Sequence, residues 1–135
     1  MPRLSPLAIK RIDAIPVALP LIKPMTLARR QITRSVNLLV RIEVRNGTVG
    51  WGEAVAMPTP VGENLRSMLR AMSSRIVPYL AGKDAREHAK LTETLARNVV
   101  LSRAALSATD MALLDLVGQA HGLPLNELLG GHLRD

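Results

Sequence analysis

At 135 residues the chain suits one domain of ordinary size and is too short for a (β/α)8 barrel, which needs about 250. Hydrophobic residues make up 47% and charged residues 21%, a globular balance that excludes disordered and fibrous classes. Eighteen Lys and Arg against eleven Asp and Glu give a net charge of +7, which raises anionic partners; one Trp, one Tyr and no Phe leave little to stack unpaired bases, so nucleic acid is not an expected partner.

Residues 9–19 hold Ile9, Ile12, Ile15, Val17 and Leu19, whose later members alternate, and they predict a first strand; Pro16 predicts an edge position or a bulge, because proline cannot donate to the ladder. Residues 20–34 lose all period, carry prolines and Arg29, Arg30 and Arg34, and read as a long connecting loop. In residues 35–45, Val36, Leu38, Val40, Ile42 and Val44 alternate with Asn37, Leu39, Arg41, Glu43 and Arg45, which predicts a half-buried strand. Asn46-Gly47 then predicts a two-residue type I′ turn, and residues 48–55 the returning strand.

A second irregular segment, residues 56–62, leads to helices. Leu65, Met68, Leu69, Met72, Ile76 and Leu80 recur at helical steps, and Pro78 predicts an end or a kink. Asp84 and Glu87 resemble a capping box before a second helix with Leu91, Leu95 and Val99 on its face. The Ala- and Leu-rich residues 102–121 predict a third helix, apolar around most of its circumference and stopped by Gly122 and Pro124, with a further short turn near 124–129. Three strands followed by three helices argue an α+β fold, a three-stranded antiparallel meander covered by a helical layer.

Chemistry-bearing patterns are sparse. Gly47, Gly50 and Gly52 lack the third glycine of a dinucleotide fingerprint and the Lys-Ser/Thr of a phosphate loop, so they mark a turn and a closely approached strand. Glu53 reads as a structural carboxylate at a strand end. Asp110 and Asp115 point apart on a helix and cannot pair; each is expected to accept hydrogen bonds or meet an arginine at a packed interface. His88, His121 and His132 show no ligand spacing, and Ser35, Ser67, Ser73, Ser74, Ser102 and Ser107 lack a nucleophile-elbow context. The absence of cysteine leaves no disulfide or thiolate metal site. With no uninterrupted signal-peptide core and no apolar run of membrane-spanning length, a cytoplasmic protein without a membrane partner is expected.

Three phrases in order carry a resemblance: Gly50-Trp-Gly-Glu-Ala54; Ala105-Leu-Ser-Ala-Thr-Asp-Met-Ala-Leu-Leu-Asp-Leu-Val-Gly118; and Gly122-Leu-Pro-Leu-Asn-Glu-Leu-Leu-Gly-Gly131. Together they resemble the N-terminal capping domain of the mandelate racemase/muconate lactonizing branch of the enolase superfamily. Leu19-Pro20, Ile22-Lys23-Pro24 and Leu38-Leu39-Val40-Arg41-Ile42 look most like muconate cycloisomerases. The resemblance implies an enolase-like N-terminal domain over residues 1–121, with 122–135 starting the connection to a barrel that this chain lacks.

In such enzymes the barrel holds magnesium and the bases that remove a proton α to a carboxylate. By the same resemblance the chain has no catalytic residue, no metal ligand and no cofactor of its own, magnesium belonging to a complete enzyme, and it is expected to be inactive alone. Residues 21–33 and 55–62 match two mobile loops that close over the substrate. Met25, Thr26, Leu27 and Met57 are the candidates for facing a small carboxylate substrate. The alternative is a stand-alone module that oligomerises through its last helix; a homo-oligomer is expected either way.

Overall fold

The inward residues of the second strand form the middle of the core: Leu38, Val40, Ile42 and Val44 are fully buried. In the computed structural model, which describes residues 5–27, 29–57, 63–98 and 102–131, three strands precede the helices. They are β1 (Ile9–Leu27), β2 (Arg30–Val44) and β3 (Val49–Val55), antiparallel in the order β1-β2-β3. The helical layer holds α1 (Leu65–Ala71), a π turn (Met72–Ile76), α2 (Val77–Leu80), α3 (His88–Asn98), α4 (Arg103–His121) and the short α5 (Leu125–Leu128). The chain is α+β, as its element order predicts. Among the described residues no helix is long and apolar enough to cross a membrane.

Met68, Met72, Ile76, Leu80, Leu91, Leu113 and Leu116 close over the inner face of β2 with no exposure above 1%. Each such side chain contributes about 1.5–3 kcal/mol of burial, so one polar substitution here costs a large fraction of a domain's net stability. Leu91 and Leu95 form the buried face of α3; Val99 lies outside the described residues.

Four local expectations change. Residues 20–34 are not a loop: β1 and β2 run on as a paired two-stranded arm, from Ala18↔Val36 to Leu27↔Arg30, past the last β3 pair at Asn37↔Val55. Between Pro20↔Arg34 and Met25↔Ile32, residues 21–24 stand opposite Thr33 alone, an excess of three. An odd excess turns the side chains of β1 over to the other face, so no constant alternation survives in the sequence. Pro16 and Pro20 share one parity on edge strand β1, which turns both nitrogens away from β2 and leaves the ladder intact.

The Asn46-Gly47 turn is also wider than a two-residue I′ hairpin. Residues 45–48 connect the strands, closed by Gly47 N–H donating to the Val44 carbonyl at 2.9 Å and Val44 N–H to that of Thr48 at 3.0 Å. The carbonyls of Ala8 and Pro6 take the N–H groups of Arg45 and Asn46 at 3.0 and 2.9 Å, and the Asn46 side chain takes Thr48 N–H at 2.9 Å. Those partners hold the longer turn, with Gly47 at φ 90°.

Pro78 neither ends nor sits inside a regular α-helix. It has no N–H for the preceding turn, and the helix widens into the π turn just before it, then continues to Leu80. The Ser74 hydroxyl donates to the Arg70 carbonyl at 2.6 Å at the entry to that turn. Asp84 caps a 3-10 turn (Ala85–Glu87), accepting from Arg86 N–H at 3.0 Å, so the reciprocal capping box does not form.

Candidate functional site

Where the arm leaves the sheet, its inner face and the exit of β3 enclose a cavity of about 250 Å3 above the start of α1. Leu21, Met25 and Ile32 line it from the arm, Val55 and Met57 from the end of β3, and Leu65 from α1. The bulge in β1 is what brings Met25 there. Cross-strand partners share a face, so Met25, paired with Ile32, joins the side of Ile32, Arg34 and Val36, which without the excess residues it would not.

Of the four candidate side chains, the structure brings Met25 and Met57 to one cavity, 49% exposed and half-buried respectively. Thr26 follows Met25 on the opposite face of the arm, and Leu27 sits at its tip opposite Arg30; neither lines the cavity. Of the second irregular segment, residues 58–62 lie outside the described residues.

The lining carries one charged side chain, Arg34, beside Ser35 and Asn64. Among the described residues, Arg34 is exposed and has no carboxylate within ion-pair distance. Between Asp13 and Glu43 the sequence holds Lys23, Arg29, Arg30, Arg34 and Arg41 and no acid. Arg41 is neutralised by Asp13 at 3.2 Å and Glu43 at 2.9 Å, the latter foremost in raising the guanidinium pKa. The arm itself is therefore cationic.

Glu63 is the residue that sequence reasoning missed. Its carboxylate accepts from Arg103 N–H at 2.7 Å, from Ala104 N–H at 3.1 Å and from the Ser102 hydroxyl, whose oxygen in turn takes Ala105 N–H at 3.0 Å. The first N–H groups of α4 are thereby satisfied, and a negative charge sits at the positive end of the helix. The Glu63 carbonyl also accepts Met57 N–H at 3.1 Å, so one residue ties the cavity wall at Met57 to α4. Ser102 caps α4 locally, whereas its partner Glu63 lies 39 positions away, out of reach of any local sequence pattern.

Glu53 lies on the outer face of the sheet and accepts from the Asn37 amide, whose oxygen takes the Ser35 hydroxyl at 2.5 Å. That is the structural role expected of it. Asp110 accepts the Thr92 hydroxyl at 2.8 Å, and Asp115 takes Trp51 N–H at 2.9 Å and the Gln119 amide at 3.0 Å, so both are packing acceptors. His88 begins α3, His121 ends α4 and His132 lies outside the described residues. Among the described residues no three His, Cys, Asp or Glu converge in a set that fits a metal ion.

A family model described as mandelate racemase / muconate lactonizing enzyme, N-terminal domain, matches residues 11–130. The L-Ala-D/L-Glu epimerase of Bacillus subtilis is 33% identical over 122 residues, covering 90% of this chain and 33% of that protein. The L-Lys-D/L-Arg epimerase of Methylococcus capsulatus is 39% identical over 111 residues, covering 82% of this chain and 31% of that protein. The crystal structure of muconate lactonizing enzyme from Pseudomonas fluorescens, complexed with muconolactone, superposes with a TM-score of 0.90 at 32% identity over 97% of this chain and 36% of that one. The chain thus spans about a third of the length of the curated relatives it matches.

Proposed function

The chain belongs to the mandelate racemase/muconate lactonizing enzyme family, whose N-terminal domain it carries, and from that premise we propose that it is the substrate-shaping cap of a metal-dependent isomerase or lyase that removes a proton α to a carboxylate. The observation that carries this reading is the cavity that joins the β1–β2 arm, through Met25, to the exit of β3, through Met57. Apolar walls there would hold the part of a substrate remote from the reacting carbon and keep water from it.

A metal ion would supply charge stabilisation for the enolate-like intermediate. The described residues here do not fit one, so its ligands and the bases would come from the part of the relatives' length that this chain does not span. Alone, the chain has neither a tight metal site nor turnover. Calorimetric titration with magnesium and assays for racemisation and cycloisomerisation of carboxylates test this; a one-to-one magnesium site or activity in the 135-residue chain would overturn it. The names of the relatives, one for a Glu-containing dipeptide and one for Lys and Arg, leave the charge of the substrate open.

A second reading, an interaction module that associates with copies of itself, draws on exposed apolar residues: Met111 on α4, and Leu123, Leu125 and Leu129 in and beside α5, exposed by 42–66%. Sedimentation tests this second reading. A dimer or larger species supports self-association, and a monodisperse monomer at high concentration removes this second reading.

A further inference from the structure

The cavity's lining is apolar except for Arg34, Ser35 and Asn64. The side chains of Leu21, Met25, Val55 and Met57 offer no hydrogen bond to a ligand, whereas Arg34, which lines the same cavity, carries a guanidinium with five donors. Among the described residues it has no carboxylate partner, although Arg41, further along β2 and within the three-stranded sheet, has two. The arm around it adds Lys23 and Arg29, and its sequence contains no acid.

A ligand that fills such a cavity gains from the apolar walls whatever its charge. Only an anionic one gains a charge-assisted pair at Arg34, and a cationic one meets repulsion.

We infer that Arg34 is a specificity-determining residue of this cavity, selecting substrates that carry an anionic group, a carboxylate above all, on an apolar body. The inference rests on the proposed role of the cavity and deepens it: the far end of the substrate bears negative charge. A substrate with a neutral or basic far end is disfavoured.

The test uses the 135-residue chain with methyl-labelled methionine. Met25 and Met57 line the cavity, while Met68 and Met72 are fully buried in the core and report the fold. Hexanoate, 1-hexanol and hexylammonium are titrated at neutral pH, and the methyl shifts give three affinities. Hexanoate is expected to move the Met25 and Met57 methyls at about tenfold lower concentration than hexanol, the equivalent of one charge-assisted hydrogen bond, with hexylammonium weakest. Arg34→Gln should abolish that preference and leave hexanol binding and the Met68 and Met72 signals unchanged; Arg34→Lys should keep part of it.

Equal affinities for hexanoate and hexanol, or a preference that survives Arg34→Gln, would overturn the inference and leave the cavity a ligand site. No shift at either cavity methyl with any of the three would overturn the inference together with the reading of the cavity on which it rests.

Discussion

A Cβ placed on Gly52 would lie 1.8 Å from the carbonyl oxygen of Ala108, closer than any two such atoms can approach. The neighbouring inward position repeats the arrangement: a Cβ on Gly50 would meet the Ala112 carbonyl oxygen at 2.2 Å and Leu116 Cγ at 2.7 Å. Helix α4 therefore rests on the bare backbone of β3. The pairing of Gly50 and Gly52 with Ala108 and Ala112 sets that distance.

Gly52→Ala should accordingly destabilise the fold at the upper end of the roughly 1–3 kcal/mol that overpacking costs, because backbone on both sides has to move. Gly47→Ala, in open space at φ 90°, is the control and should cost about 1 kcal/mol from the backbone alone. Denaturant unfolding measures both; equal losses would show that α4 can shift freely off β3.

This part of the fold was legible. Glycines at alternate positions of a strand, opposite a helix rich in alanine, announce close approach, and the alternation from Val36 to Val44 announces a buried face. The arm was not legible, for a physical reason. Side-chain period records burial, and the described residues between 20 and 34 include none that is buried and are interrupted by an odd register change, although their backbones pair as any strands do. The same change explains why Met25 reaches the cavity and Thr26, its neighbour in the sequence, does not.

Glu63 joins elements that the sequence keeps apart, and its loss should be felt at both. Glu63→Ala leaves the Arg103 and Ala104 N–H groups without their acceptor and should cost about 1–2 kcal/mol, the worth of a helix cap with a favourable charge. Glu63→Gln keeps an acceptor and should cost less. Hydrogen exchange reads the effect by site: the amides of Met57, Arg103 and Ala104 should exchange faster in Glu63→Ala. Unchanged protection at Arg103 would refute the capping role.

On the outer face of the sheet, Lys10 and Arg41 hold Glu43 at 2.9 Å each and lower its pKa from 4.5 to about 2, Lys10 contributing most. Asp84 is lowered further still, chiefly by Arg86 at 2.6 Å. Both folded values lie below the unfolded ones. Their stabilisation is therefore present above about pH 4.5 and disappears as pH falls through the folded values. The melting temperature should stay level down to that pH and fall from there toward pH 2, and Glu43→Gln should flatten the fall. An identical slope in the variant would mean that Glu43 contributes nothing to acid unfolding.

Asp115 gives the last prediction, because it guards the open edge of the sheet. Among the described residues strand β3 has no neighbouring strand beyond it, and its outward Trp51 N–H is taken by Asp115 at 2.9 Å while the Val49 carbonyl is taken by Gln119 at 2.8 Å. The two residues lie four apart on α4 and are themselves joined at 3.0 Å, so one turn of helix supplies both a donor and an acceptor to the strand edge. Asp115→Ala removes the acceptor and releases Gln119, at a cost of about 1–2 kcal/mol since water can replace part of the loss. Asp115→Asn has a single oxygen for two donors and should fall between. Trp51 is the chain's one tryptophan and 47% exposed, so its fluorescence reports the edge directly. Asp115→Ala should shift its emission and lower the unfolding midpoint together, while Asp110→Ala, which loses only the Thr92 hydroxyl between α3 and α4, should leave the emission where it was. Equal emission shifts in the two variants would mean that Asp115 does not act through the edge of β3.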